Sequence, residues 1–582
     1  MRYLRMLTNA VAGGVLGATY LVVLVLQLNP HVPVASMTAV RWFETLAMSY
    51  GLYLSVAIYL LILVREVLAS RPLYPAWLSV RILAWLGGAS AATAALLTWA
   101  NFRGFHAVLG DGAAERMRQG ATATTVCAAV LVAVALLRYS FGRRGTAATA
   151  ILLLASLSLS VGVPLWVRGP GDPPVPAARR TNTPEPASEL TPHVRMLLLD
   201  GASLGFIRQR VAAGQLPNFG RLLDRGAAIY LATLKPAQAE PVWAAAATGK
   251  YPPQNGIRSN ALYRVRPDDA DPVGLLPDYC FAYEALVYES FVREEYLTSA
   301  SLHARPFWDI LADYRVASGI VGWPLTFPAH ADRGYVISDR FGEAASSPLR
   351  LSDSQAGYPT TAVEIARDVF DAWQFKPWVD ILPAAAPAEA EPSGIRHARW
   401  DRAYSEAGTQ LEEQFAPRLT AIRYEGVDGF GHNYLRDAQP ELFGELGRNE
   451  QRRSVLDRYY AYIDSEIERA ITGLAAGDLL LVVSGFGMEP ETLPKRLLAG
   501  ILGRPLQYGT HERAPDGFLV AYGTNVAQGQ FARGAIVDVA PTVLYYMGLP
   551  VGRDMDGFAR ADLFLRSYTL EHPLTYVATH ER

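Results

Sequence analysis

Four residues of this 582-residue chain have the types and the spacing of metal ligands. Asp428 and His432 stand four residues apart in YEGVDGFGHNY, and His511 follows in YGTHERAPDGF. Asp200 directly follows the apolar run MLLL. One carboxylate with two imidazoles is a common three-ligand set that leaves a coordination position for water or a substrate. The four residues together therefore predict a metal centre, although each alone has an ordinary structural explanation.

The ligand candidates lie near the ends of predicted strands in an α/β domain. Continuous apolar runs typical of buried strands occur at 194–200, 316–323, 419–426, 478–485 and 518–523. Helical patterns alternate with them at 216–227, 453–474 and 537–548. Ligands bind outside the carboxyl ends of strands in open α/β sheets, so we expect these loops to meet at one site.

The sequence resembles the alkaline phosphatase superfamily, in particular its type I phosphodiesterase and nucleotide pyrophosphatase branch. The resemblance covers most of residues 194–560 and rests on eight motifs in the order of the family. These are LLLDG (197–201), LPNFGRLLDRGA (216–227), PVWAAAATGKYPPQNGI (241–257), GWPLTFPA (322–329), DGFGH (428–432), VVSGFGM (482–488), GTHERAPDG (509–517) and DVAPTVLYYMGLP (538–550). It implies an alkaline-phosphatase-like sheet with helices on both faces and a fold used by phosphoric ester hydrolases.

The family uses two metal ions, and the resemblance assigns a complete ligand set to one of them. The motif D-x-x-G-H corresponds to Asp428 and His432, and a later histidine corresponds to His511. We expect one divalent ion here, and zinc suits this ligand set.

The resemblance implies that the second ion is absent. Asp200 matches one of its ligands, but the threonine or serine nucleophile of the family corresponds to Ala239. The family's Asp-His pair, in an SDHGM-like motif, corresponds to Gly485 and Phe486. A methyl group cannot attack phosphorus, and neither glycine nor phenylalanine supplies a side-chain ligand. The double displacement through a covalent phospho-enzyme is therefore predicted to be lost.

Glu240 is a candidate for a catalytic substitute, whereas Gln238 is no nucleophile and Ser484 is assigned to the end of a strand. Glu240 is a carboxylate next to Ala239, but Pro241 follows it. Proline favours the first turn of a helix, so Glu240 is predicted to cap a helix that begins at Pro241.

The first 168 residues are predicted to form an all-α bundle of about five transmembrane helices that acts as an anchor. Five apolar segments of suitable length lie near 10–29, 45–64, 82–100, 121–137 and 147–167. None contains Asp, Glu, Lys, Arg or His in its interior, which argues against a transport path.

The distribution of arginines predicts the orientation of this anchor. With a cytoplasmic N-terminus, eight arginines lie in cytoplasmic segments and four in the opposite loops, in agreement with the positive-inside tendency. An odd number of crossings then places the C-terminal domain outside, in the periplasm or at the cell surface.

The remaining segments complete the predicted domain organisation. Residues 169–193 form a proline-rich linker before an ectodomain at 194–582. Within the ectodomain, 261–302 and 341–414 depart from the core pattern and are predicted to be insertions over the pocket. The formal net charge of −2 gives no reason to expect nucleic acid as a partner.

Three functions remain open from the sequence. The favoured one is a pseudoenzyme that binds a phosphate-bearing ligand or a membrane or periplasmic protein partner. The alternative is a phosphohydrolase or phosphodiesterase that uses water bound to a single metal ion. A transferase of lipid or glycan head groups ranks last because it needs the missing nucleophile.

Overall fold

A computed structural model of the chain describes every residue except 70–71, 141–145, 170–190, 267–269, 347–352, 378–391 and 445–449. The fold divides into two compact units. One comprises Met1–Pro174 and Ala261–Tyr296, and the other comprises Val175–Asn260 and Leu297–Arg582. Most of the predicted linker, and part of the predicted insertion 341–414, lie outside the described residues.

Five spans in the described part of the first unit are long and apolar enough to cross a bilayer, as the sequence predicts. They are Arg2–Leu28, Met37–Leu68, Val80–Phe105, Asp111–Leu136 and Ala150–Arg168. The helices in them are α1 (Arg2–Leu28), α2 (Met37–Leu46), α3 (Leu52–Leu68), α4 (Val80–Phe105), α5 (Asp111–Ser140) and α6 (Thr146–Arg168). Small residues allow close packing, since a Cβ atom at Gly14 would lie 2.3 Å from the carbonyl oxygen of Gly51.

The remaining helices and the strands alternate along the chain. The described strands are β1 (Val194–Leu199), β2 (Ala227–Ala232), β3 (Ala261–Val265), β4 (Val292–Tyr296), β5 (Ser318–Val321), β6 (Gly334–Ile337), β7 (Gly357–Tyr358), β8 (Leu419–Tyr424), β9 (Leu479–Phe486), β10 (Glu489–Pro490), β11 (Gly509–Thr510), β12 (Asp516–Gly523), β13 (Gly529–Gln530), β14 (Gly534–Ala535), β15 (Val551–Gly552) and β16 (Tyr576–Val577). The further α-helices are α7 (Leu204–Ala212), α8 (Pro217–Arg225), α9 (Ala239–Thr248), α10 (Pro252–Asn255), α11 (Phe307–Asp313), α12 (Phe341–Ser346), α13 (Asp353–Ala356), α14 (Thr360–Gln374), α15 (Pro392–Phe415), α16 (Gly426–Ala438), α17 (Glu450–Thr472), α18 (Leu493–Ile501), α19 (Val539–Tyr546) and α20 (Arg566–Glu571).

One ten-stranded mixed sheet organises the second unit. Its order is β13–β2–β12–β9–β1–β8–β5–β6–β7, and β14 pairs with β2. The central strands β9, β1, β8, β5 and β6 are parallel, whereas β12 is antiparallel to β9. The carboxyl ends of the parallel strands and the amino end of β12 therefore lie at the same edge.

Both faces of this sheet are covered, as the α/β prediction requires. Alternate side chains of β1 enter different cores: Leu197 and Leu199 join one, and Met196 and Leu198 join the other. Strands buried on both faces read as continuous apolar runs, which explains why β1, β8 and β9 were recognisable in the sequence.

The segment Ala261–Tyr296 departs from the expected domain organisation. The sequence pattern predicts an insertion over the pocket of the ectodomain, as part of 261–302. In the structure it belongs to the unit of the N-terminal helices, and its strands β3 and β4 pair with each other. Tyr263 and Val265 share an apolar core with Val25 and Trp42, so burial against the helices fixes its place.

Candidate metal centre

Asp428, His432 and His511 meet at the edge where the parallel strands end. Asp428 and His432 lie one turn apart on α16, which follows β8, and His511 lies in the loop before β12. Oδ2 of Asp428 is 3.3 Å from Nε2 of His432, and Oδ1 is 3.9 Å from Nε2 of His511. One ligand atom from each residue lies within 4.8 Å of the other two, which is the spacing that a shared cation requires.

The surroundings of the two imidazoles fix which nitrogen faces Asp428. Nδ1 of His432 donates to the Gly509 carbonyl at 2.7 Å, and Nδ1 of His511 donates to the Ala237 carbonyl at 2.6 Å. Metal-bound histidines are usually oriented by such a bond from the other ring nitrogen. Oδ1 of Asp428 is enclosed and has no hydrogen-bond partner. This oxygen and the two Nε2 atoms fit a divalent cation, and their chemistry suits zinc.

Charge pairing within this cluster is strong. Burial would raise the pKa of Asp428, but His432 and His511 outweigh it and hold this pKa well below its usual range. Burial lowers the pKa of His432, but the Asp428 carboxylate raises it overall to about 9. Cation binding at neutral pH must therefore displace a proton from His432.

A glycine after β1 allows α16 to approach this closely. Gly201 has a φ of +71°, and a Cβ atom there would lie 3.0 Å from Cα of Asp428. Any larger residue would suffer both the unfavourable φ and this contact. The LLLDG motif therefore ends in glycine for a reason specific to this site.

Asp200 lies outside the cluster of three ligands, and its assignment as a metal ligand stays a prediction. It is 2% exposed, and its Oδ1 accepts a hydrogen bond from Nε1 of Trp243 at 2.5 Å. Its Oδ2 accepts from Nε of Arg423 at 2.9 Å and also from Nη2. Both oxygens are engaged by protein donors, and the guanidinium supplies a fixed positive charge beside the carboxylate that relatives use for the second ion.

Arg423 is surrounded by an acidic cluster, which we define as Asp200, Glu240, Asp339 and Glu425. Its Nη2 lies 2.9 Å from Oε1 of Glu425, and the acids raise the pKa of Arg423 above its usual range although burial lowers it. Burial raises the pKa of Asp339 to about 6, against the opposing effect of Arg423. Burial also raises the pKa of Glu425, but Arg423 and His397 lower it to about 2.

Apolar packing surrounds Gly485 and Phe486, the positions at which the resemblance predicts that the Asp-His pair is missing. A Cβ atom at Gly485 would lie 2.4 Å from Cγ1 of Val242 on α9. Phe486 is 1% exposed, and its ring centroid is 4.8 Å from that of His511. An acidic side chain at 485 would therefore collide with α9, and the ring of Phe486 lies where it can pack but not ligate.

The start of α9 differs from the predicted capping arrangement. The N-cap is Gln238, and α9 begins at Ala239, so Glu240 lies within the first turn. The backbone N–H of Glu240 donates to Oδ1 of Asn260 at 3.3 Å. Oε2 of Glu240 is enclosed and has no hydrogen-bond partner. Burial raises the pKa of this carboxyl to about 8, although Arg423 opposes the shift.

Arg423 and Trp243 are the important site residues that the sequence analysis missed. The signal for Arg423 was present, because a single charged residue interrupts the apolar strand LTAIRY. A charge inside a buried strand requires a partner. Trp243 gave no such signal, since its indole lies in an apolar helix that reads as ordinary core.

The family model of type I phosphodiesterase / nucleotide pyrophosphatase matches residues 194–508. Two solved structures of phosphonoacetate hydrolase from Sinorhizobium meliloti 1021, with phosphonoacetate and with phosphonoformate, are similar at 16% identity. Their TM-scores are 0.32 and 0.31, and each match covers 54% of this chain and 62% of the hydrolase. A search of curated proteins gives no match. The chain belongs to the type I phosphodiesterase / nucleotide pyrophosphatase family of the alkaline phosphatase superfamily.

Proposed function

We propose that this chain is a membrane-anchored pseudoenzyme that binds one divalent cation and does not form a covalent phospho-enzyme. Its ligand carries a phosphate group or is a protein partner that presents one. The arrangement around Asp200 carries the proposal. Arg423 and Trp243 engage the carboxylate that relatives use for their second ion.

The residues that hold the cation are Asp428, His432 and His511. A divalent ion held by these residues would supply positive charge and Lewis acidity to an anionic ligand such as a phosphate group. Nδ1 of His432 donates to the Gly509 carbonyl, and Nδ1 of His511 donates to the Ala237 carbonyl. These bonds keep both Nε2 atoms directed at the Asp428 carboxylate. This orientation reduces the entropy lost when the ligand set closes on the ion.

The absence of a covalent intermediate is supported by the residues at the start of α9. Ala239 has no attacking group, and Gln238 next to it is not a nucleophile. Gly485 and Phe486 provide no ligand to activate an attacking group beside them. The fixed charge of Arg423 balances Asp200 without a second metal ion.

We also propose that the family domain, which contains residues 194–508, lies on the extracytoplasmic side of the membrane. The five apolar spans and the excess of arginines in the loops assigned to the cytoplasm support this orientation. A ligand on that side could be a lipid head group, a soluble phosphate ester or the surface of another protein.

A hydrolase that uses water at a single cation is the second candidate. The observation in its favour is Glu240, whose enclosed oxygen lacks a partner and whose pKa of about 8 keeps it protonated at neutral pH. A protonated carboxyl beside the position of the lost nucleophile has the acidity needed to donate a proton to a leaving group.

Hydrolysis of bis(4-nitrophenyl) phosphate by the full-length chain in detergent micelles with zinc distinguishes the two functions. Under the proposal, the wild-type chain and the His432→Ala variant release nitrophenolate at the same background rate. The matched control is His330→Ala, because His330 is exposed and lies outside the cluster of ligands. Turnover that is lost in His432→Ala and kept in His330→Ala would assign the hydrolase instead.

Ligand binding provides the positive half of the test. Calorimetry with inorganic phosphate and with a phosphodiester should detect binding by the zinc-loaded wild-type chain. We expect this binding to disappear in His432→Ala and to persist in His330→Ala. Binding that is equal in both variants would show that the cation site does not hold the phosphate group.

A further inference from the structure

The segment Ala261–Tyr296, which we call the hairpin segment, is held by polar residues within or directly after three different membrane spans. Both side-chain groups of Asn29 bind the backbone of residues 274–275, at 2.8–2.9 Å. The Asn101 side chain donates to the carbonyl of residue 278 and accepts from its backbone N–H. The Tyr50 hydroxyl donates to the carbonyl of residue 280 at 2.6 Å. Asn29 and Asn101 are at most 1% exposed. These bonds fix residues 274–280 against one end of the helical bundle.

Helix α1 gives the level of this attachment relative to a bilayer. Asn9 lies near its other end, where its side chain donates to the carbonyls of Ala76 and Trp77. Asn29 follows twenty residues later. At a rise of 1.5 Å per residue the two asparagines are about 30 Å apart, which equals the thickness of a hydrocarbon layer. This separation fits a placement of Asn29, and of the backbone that it binds, at the boundary between acyl chains and headgroups.

Exposed aromatic side chains are concentrated in the hairpin segment next to this attachment. Between residues 279 and 288 they are Tyr279 (40% exposed), Phe281 (37%), Tyr283 (36%) and Tyr288 (54%). Tyr279 and Phe281 also have positive φ values of 66° and 57°, which bulky residues rarely adopt. These two residues therefore have an energetically unfavourable backbone conformation at the positions where their rings are exposed.

The aromatic group continues the lipid-facing surface of the spans. The turn Tyr283–Val287 packs against Ala47–Gly51, the turn that joins α2 to α3. Beside that turn, Met48, Leu52 and Tyr53 are 57–67% exposed on a helix that is long and apolar enough to cross a bilayer. Side chains next to this surface at the boundary level face lipid rather than bulk water.

The charge of the segment indicates which kind of contact it makes. Its charged residues between 278 and 291 are Asp278, Glu284 and Glu289, and none is basic. Attraction to anionic lipids requires lysine or arginine, and the arginines of the hairpin segment, Arg264, Arg266 and Arg293, lie outside this stretch. Tyrosine rings favour the headgroup level because the ring is apolar and the hydroxyl is polar.

We propose that residues 277–291 form an interfacial membrane element whose four exposed aromatic side chains lie in the headgroup region of the bilayer. This element adds a lipid contact outside the five spans and restricts the hairpin segment to the membrane surface. It is independent of the function proposed for the metal centre.

Depth-dependent fluorescence quenching tests the element in the full-length chain. A single cysteine at Tyr288→Cys, in a Cys127→Ala and Cys280→Ala background, carries an environment-sensitive dye in phosphatidylcholine nanodiscs. The lipids carry bromine either near the headgroup or near the bilayer centre. A label at Leu61→Cys is the reference for the interior, because Leu61 is 68% exposed and lies about halfway between Tyr50, which binds the hairpin segment, and Leu68, where its span ends.

At position 288 we expect quenching at least twofold stronger by the shallow bromines than by the deep ones, with the reverse order at position 61. The quenching at 288 should not change between low and high salt, because the contact is not electrostatic. Absence of lipid quenching at 288, as expected if a protein partner covers these rings, would overturn the proposal. Stronger quenching by the deep bromines at 288 would overturn it as well.

Discussion

Replacement of Arg423 by methionine should destabilise the family domain strongly. The side chains of Arg423 and Asp200 are 9% and 2% exposed, so the variant leaves a buried carboxylate without its cation. Loss of one partner from a buried ion pair costs about 3–5 kcal/mol. For a domain of this size we expect a fall in the apparent Tm on the order of 5–10 °C. The remaining bond from Trp243 to Asp200 cannot replace the missing charge.

A double-mutant cycle separates this effect from a general loss of packing. Asp200→Asn should cost less than Arg423→Met, because Arg423 keeps Glu425 as a partner. The double variant should be more stable than the sum of the single effects predicts, with a coupling of about 2–3 kcal/mol. Differential scanning fluorimetry of the full-length chain in micelles provides the measurement.

The pH dependence of the same variant supplies a second readout. Burial raises the pKa of Asp200, and Arg423 opposes this shift. Without Arg423 the carboxyl becomes easier to protonate, so the deficit in Tm should be smaller at pH 5 than at pH 8. The control is Arg208→Met, since Arg208 is half-buried and donates hydrogen bonds to the neutral side chains of Tyr230 and Gln530. The reasoning would be refuted if Arg423→Met lowered the Tm no more than Arg208→Met does. It would also be refuted if the double-mutant cycle showed no coupling.

Three further variants test other parts of the site. The pKa of Glu240 is about 8 in the folded chain and 4.5 in an unfolded chain. Protonation of Glu240 therefore stabilises the folded state, and this contribution is lost as the pH rises through this range. The Tm of the wild-type chain should therefore fall more between pH 5 and pH 8 than that of Glu240→Gln; parallel curves would contradict this. Gly201→Ala should weaken zinc binding through its contact with Asp428, whereas Gly214→Ala, with a similar φ and open space around it, should lower only stability. Gly485→Asp should lower the Tm without adding a metal ion, because its side chain collides with α9; a gain of an ion would contradict this.

The fold of the second unit was predictable because its strands are buried on both faces. The apolar composition of these strands indicates that they are buried, as in Leu197 to Leu199 of β1 and the runs in β8 and β9. The five spans were predictable for a similar reason, since each is apolar over the length of a bilayer crossing.

The place of the hairpin segment was not predictable. Its sequence mixes tyrosines with acids and has no periodicity that distinguishes a soluble insertion from a membrane-surface element. Long-range bonds from Asn29 and Asn101 decide its position, and such bonds leave no local pattern. Residues 261–296 therefore belong with the helical unit, although the chain reaches them from the family domain.

The site was predictable to different extents for its two halves. Asp428, His432 and His511 could be found because ligand types recur at loop positions with fixed spacing. The hydrogen-bond partners of Asp200 were not predictable, because a residue's position in a motif does not reveal which donor engages it. Arg423 lies 223 residues away in the chain, and only the pairing of β1 with β8 brings the two together.

The number of divalent ions bound per chain is the most direct test of the central claim. Mass spectrometry of the zinc-loaded, full-length protein should find one ion per chain in the wild type and none in His432→Ala or His511→Ala. Asp200→Asn should keep the ion, because Arg423 and Trp243 rather than a metal engage that carboxylate. Two ions per chain, or loss of the ion in Asp200→Asn, would contradict the account.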